Sequence, residues 1–145
     1  MLKRILHFLF DRQPPRESFT DPVLGELKAA EAGWTVSIVK DNDCFSFTIG
    51  GTSLPDAALL AHAHDILREY DSFKKSIHDF MQAESIDYLD DVKAELARLQ
   101  IDDISLCWPE RPNDGMIFFR GTDQDLGAWR CDYVARKPTS LGCDT

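Results

Sequence analysis

Residues 34–50 read WTVSIVKDNDCFSFTIG, and the way this stretch folds decides the architecture of the chain. In its first half Trp34, Val36 and Ile38 alternate with Thr35 and Ser37. In its second half Phe45, Phe47 and Ile49 alternate with Cys44, Ser46 and Thr48. A period of two gathers the large apolar residues on one side of a strand and the short polar ones on the other. A helix would scatter the same residues around its surface. Asp41, Asn42 and Asp43 between the two halves are turn formers, so the stretch predicts an antiparallel hairpin with one apolar and one small-polar face. VLGELKA at 23–29 precedes it as a weaker first strand, which makes a three-strand meander.

The pattern changes after Gly50 and Gly51. Ser53 followed by Asp56 resembles a capping box, and Pro55 is tolerated in a first helical turn. Leu59, Ala63, Ile66, Tyr70, Phe73, Ile77 and Phe80 then recur at steps of four and three, the signature of one long amphipathic helix, with Asp71 as a place to bend. Leu89, Val92, Leu96 and Leu99 mark a second helix. Its acidic start, at Asp87, Asp90 and Asp91, suits the positive end of a helix dipole.

The last third returns to strands. DISLCW places Ile104, Leu106 and Trp108 opposite Ser105 and Cys107. MIFFR is apolar on both sides and so belongs in the middle of a sheet. In AWRCDYVA, Trp129, Cys131 and Tyr133 alternate with Arg130, Asp132 and Val134, which makes Cys131 a small buried hydrophobe rather than a nucleophile. The expected fold is α+β, ordered βββ-αα-βββ, with about six strands in one mostly antiparallel sheet and the helices packed on one face. Thr35, Ser37, Ser46, Thr48, Ser105, Arg130 and Asp132 then line the other face, as a wet surface or a docking one.

Residues 1–18 stand apart from the domain expected over 19–145. In MLKRILHFLF, Lys3, Arg4 and His7 share one helical face among apolar neighbours, and Pro14 and Pro15 end any helix there. So short an amphipathic segment needs a surface: its own domain, a second copy or an anionic membrane. Its apolar run is too short to span a bilayer and carries no signal-peptide cleavage site.

Composition narrows the function. The 145 residues carry 25 acidic and 16 basic side chains, a formal charge of -9, which opposes binding to a nucleic-acid backbone and suits a basic partner. Four cysteines show no Cys-x-x-Cys pair for zinc or redox work, and they read as reduced thiols of a cytoplasmic protein. His62 and His64 of HAHD would chelate a metal on a strand, but on a helix they diverge by about 200°; His78, on a flank, reads as a solvated histidine. No Gly-x-Ser-x-Gly elbow is present, Gly50-Gly51 lacks the Lys-Ser/Thr of a phosphate loop, and DNDCFSFT lacks the glycine and glutamate of a calcium loop. No metal or cofactor is therefore expected, and no catalytic residue.

WRCDYVARKPTSLGCD at 129–144 resembles the closing segment of small bacterial proteins of unknown function, and the resemblance extends to 99–121 and 21–38. In general build such proteins are similar to the immunity proteins of bacterial toxin systems, which bind and neutralise a toxin in the cytosol. That likeness implies no activity and assigns no residue. The leading expectation is a non-enzymatic protein-binding domain, immunity-like, that meets a basic partner through Arg130, Asp132, Ser46, Thr48 and Ser105. The alternatives are a peripheral membrane or assembly module held by residues 1–10, and an enzyme with an unrecognised site near Cys107, Arg130 and Asp132.

Overall fold

A computed structural model describes residues 17–121 and 128–144. The amphipathic segment of residues 1–10 and most of its proline linker lie outside the described residues. The strands are β1 (Ser18–Asp21), β2 (Gly25–Ala30), β3 (Gly33–Lys40), β4 (Asp43–Ile49), β5 (Gln100–Leu106), β6 (Gly115–Arg120), β7 (Ala128–Val134) and β8 (Lys137–Asp144). Three helices, α1 (Ala57–Arg68), α2 (Tyr70–Glu84) and α3 (Asp90–Arg98), lie between β4 and β5.

The sheet has eight strands in sequence order, against the six expected. Two meanders meet at β4 and β5, the one parallel pair; every other neighbouring pair is antiparallel. A parallel pair needs a long crossover, and the helices supply it. The two extra strands sit at the edges. β1 is joined to β2 through Asp21, whose carboxylate accepts the Val23 and Leu24 amides at 2.9 and 2.8 Å. β8 folds back on β7 through Ala135 and Arg136, both at positive φ (51° and 65°).

The hairpin reading of residues 34–50 holds, with Val36 opposite Phe47 and Ser37 opposite Ser46. Its apolar side is continuous with that of the other strands: Phe47 pairs with Ile104, Ile104 with Ile117, and Ile117 with Cys131. All four are fully buried. Helical side chains reach this core. Tyr70 stacks on Phe45 with ring centroids 5.0 Å apart and donates its hydroxyl to Asp43, while Phe73 and His62 meet the Tyr133 ring edge-on. Truncating a side chain such as Phe47 costs about 3–5 kcal/mol.

Three local expectations are corrected. The long helix is two, broken at Glu69, which has φ -113° and both caps α1 and opens α2. The cap of α1 is Asp56, which accepts from the Ala58 and Leu59 amides at 3.0 and 3.1 Å, and not Ser53. Strand β5 ends at Leu106, so Trp108 leaves the alternation that predicted a core aromatic. It is half-buried outside the strand, with the Arg111 guanidinium 4.7 Å above its ring.

Candidate functional site

The parallel pairing of β4 with β5 assembles the polar face. It sets Ser46 beside Asp103 and Thr48 beside Ser105. A bulge between Ile101 and Asp103 buries both Ile101 and Ile104 while leaving Asp103 on the face of Ser105. The Asp103 carboxylate accepts three hydroxyls: Ser46 at 2.5 Å and Thr48 at 2.9 Å on Oδ1, and Ser105 at 2.5 Å on Oδ2. Thr48 and Ser105 are buried and form the floor, while Ser46 and Asp103 are half-buried. Each hydroxyl has one proton, so its remaining lone pairs are acceptors. Among the described residues no Lys, Arg or His pairs with Asp103.

Of the five residues expected at a site, three therefore converge and two stand aside. Arg130 and Asp132 share this face, but β6 intervenes: Phe118 pairs with both Asp103 and Arg130, and Met116 with both Ser105 and Asp132. Two strand spacings separate β5 from β7, roughly 10 Å. Arg130 Nε lies 3.2 Å from Asp132 Oδ1, a charge contact without hydrogen-bond alignment, and Ser140 donates to Asp132 Oδ2 at 3.1 Å. Met116 and Phe118 are half-buried, so an apolar ridge runs between a carboxylate cluster and an ion pair.

Asp103 is the one member of this cluster that the sequence reading does not place on the polar face. The signal was available: the alternation that puts Ser105 opposite Ile104 also puts Asp103 there, two residues earlier.

Cys107 follows β5 and is half-buried, not a member of the polar sheet face. Burial, reinforced by the Asp103 carboxylate, pushes its thiol pKa up, the wrong direction for a nucleophile. Cys131 is fully buried and its thiol is pushed up to about 12, first by burial and then by Asp132.

The described histidines all lie on helices, off this face. His62 and His64 diverge as the helical spacing requires: His62 is buried against Tyr133, and His64 Nε2 sits 2.8 Å from Asp21 at the opposite end of the sheet. His78 is half-buried rather than solvated, and burial holds it below the usual imidazole range. A separate cavity of about 200 Å³ is lined by His62, Asp65, Phe73, Tyr133 and Arg136. Its Arg136 is already engaged by Asp65 at 2.8 Å and Asn113 at 2.9 Å.

Among the described residues no group of three His, Cys, Asp or Glu side chains is set to hold a metal ion, and no helix is long and apolar enough to cross a membrane. Among the described residues the polar face presents the Asp103 cluster, the Met116 and Phe118 ridge, and the Arg130–Asp132 and Arg120–Asp102 pairs. Compared with protein-family models, curated proteins and solved structures, the chain matches none.

Proposed function

We propose that the protein is a cytoplasmic, non-enzymatic binding domain, similar in build to toxin-immunity proteins. In this reading the helices cover the apolar face of the sheet, and the polar face receives a basic protein partner. The observation that carries it is the placement of Met116 and Phe118. Both are partly exposed on a face of short polar residues, bounded by the Asp103 cluster on one side and Arg130 with Asp132 on the other. An aromatic and a methionine at the centre with charged and hydroxyl groups around them is the anatomy of a protein interface. The charge of -9 supports a basic partner, because complementary fields speed encounter and reject wrong partners.

The test is to capture partners from the native host with the tagged protein, using a charge-matched acidic domain as control. The expected result is one stoichiometric basic protein that the control does not bind, released as salt rises and toxic when expressed alone. Recovery of the same proteins by both baits, or binding indifferent to salt, overturns the reading.

A further inference from the structure

Resting on that reading, we infer that the Asp103 cluster and the Phe118 ring form the seat for an arginine side chain of the partner. Three hydroxyl protons point inward at one carboxylate, so Ser46, Thr48 and Ser105 turn only lone pairs to a ligand. A surface of acceptors around a fixed negative charge selects a cation that carries several donors and no acceptor, which at neutral pH means an Arg or Lys side chain.

The chain leaves the position unfilled by its own described cations. Arg120 is two residues along β6 from Phe118, but its guanidinium is held by Asp102 at 3.1 Å, the Cys44 carbonyl at 3.0 Å and Gln100 at 3.3 Å. Arg130, beyond Phe118, is 3.2 Å from Asp132. Six other carboxylates, those of Asp43, Asp65, Asp79, Asp102, Asp114 and Asp132, each have a Lys or Arg side chain within 4 Å. Asp103 has hydroxyls in place of one.

The ring distinguishes arginine from lysine. Phe118 is the cross-strand partner of Asp103, and such partners hold their Cβ atoms about 4.5–5.5 Å apart. A guanidinium can therefore donate one N–H to the lone pair left on Asp103 Oδ2 and another to a neighbouring hydroxyl oxygen while lying against the ring, whereas an ammonium is a compact, strongly hydrated point charge with no plane to stack.

The experiment titrates N-acetylarginine amide into the full chain and follows the Thr48 methyl and Phe118 ring resonances by NMR. The lysine amide and the citrulline amide, a neutral isostere of arginine, are titrated in parallel. The expected result is saturable shifts at both reporters with arginine, weaker binding of lysine, and none of citrulline. Asp103→Asn, which keeps an oxygen for the hydroxyls, should weaken arginine binding by about tenfold or more. Phe118→Ala should bring arginine down to the lysine level. Absence of saturable shifts, citrulline or lysine equal to arginine, or an Asp103→Asn protein that is folded and unaffected, each overturns the seat. The parent reading fails separately. A basic protein that binds wild type and Asp103→Asn equally removes the arginine seat and leaves the docking face, whereas absence of any basic partner removes the docking face whatever the amide does.

Discussion

Asp103 and Phe118 face one another across β5 and β6 on the polar side of the sheet, a carboxylate with three hydroxyl donors beside a partly exposed aromatic ring. Neither residue is needed there for the core, whose row through Phe47, Ile104, Ile117 and Cys131 runs on the opposite side. If this surface is the contact face proposed above, its residues should be dispensable for folding.

Arg130→Ala should fold normally. The Arg130 and Asp132 side chains are 40% and 36% exposed, and ion pairs so solvated are worth about 0–1 kcal/mol. Urea unfolding should show a loss below about 1 kcal/mol, and a larger loss would mean that Arg130 supports the fold rather than the surface.

Gly115→Ala should do the reverse. A Cβ at Gly115 would lie 2.7 Å from the Tyr133 ring, which is 1% exposed, so the buried ring must shift. Overpacking of this kind costs about 1–3 kcal/mol. Gly142→Ala, where a Cβ meets nothing within 4 Å, is the control and should leave the melting temperature almost unchanged.

Asp21 ties the β1–β2 turn to α1, and its carboxyl sets part of the acid stability. Burial opposes its charge, but the Leu24 and Val23 amides and His64 outweigh burial and hold the pKa below the ordinary 3.8. A depressed folded pKa means stability that is complete above the unfolded value and is lost as pH falls through the folded one. Thermal melts should therefore show a smaller drop between about pH 5 and about pH 2 for Asp21→Asn than for wild type. Asp43, lowered mainly by the Lys74 hydrogen bond, keeps a residual slope. An unchanged pH dependence would show that Asp21 is not a contributor.

Thiol reactivity bears on the enzymatic alternative. Cys44 is exposed, Cys107 is half-buried with a raised pKa, and Cys131 is buried with its pKa near 12. Maleimide at neutral pH should modify Cys44 first and Cys131 only on unfolding. Labelling of Cys107 ahead of Cys44 would revive a nucleophile there.

The sequence carried the faces of the sheet better than its extent. Alternation alone sorted Phe47 from Thr48 and Cys131 from Asp132, because one buried face enforces a period of two. It failed where a local device interrupts the period. Trp108 was assigned by continuing past Leu106, where β5 stops. β8 was missed because its turn uses Ala135 and Arg136 at positive φ, where glycine or asparagine would have announced a hairpin. Pro138, tolerated on this edge strand, further disguised it. The pairing of β4 with β5 is non-local and leaves no mark in either strand, so the convergence of Ser46, Thr48 and Ser105 on Asp103 emerges only from the fold.

The most direct test of the docking face is to place a benzoylphenylalanine photo-crosslinker at position 118, and in a second protein at Lys75, an exposed residue of α2. Irradiation in host lysate at low salt should join position 118, and not position 75, to one basic protein, and high salt should abolish the adduct. No specific adduct at 118, the same adducts from both positions, or an adduct only with a second copy of this chain would contradict a polar sheet face that binds a basic partner.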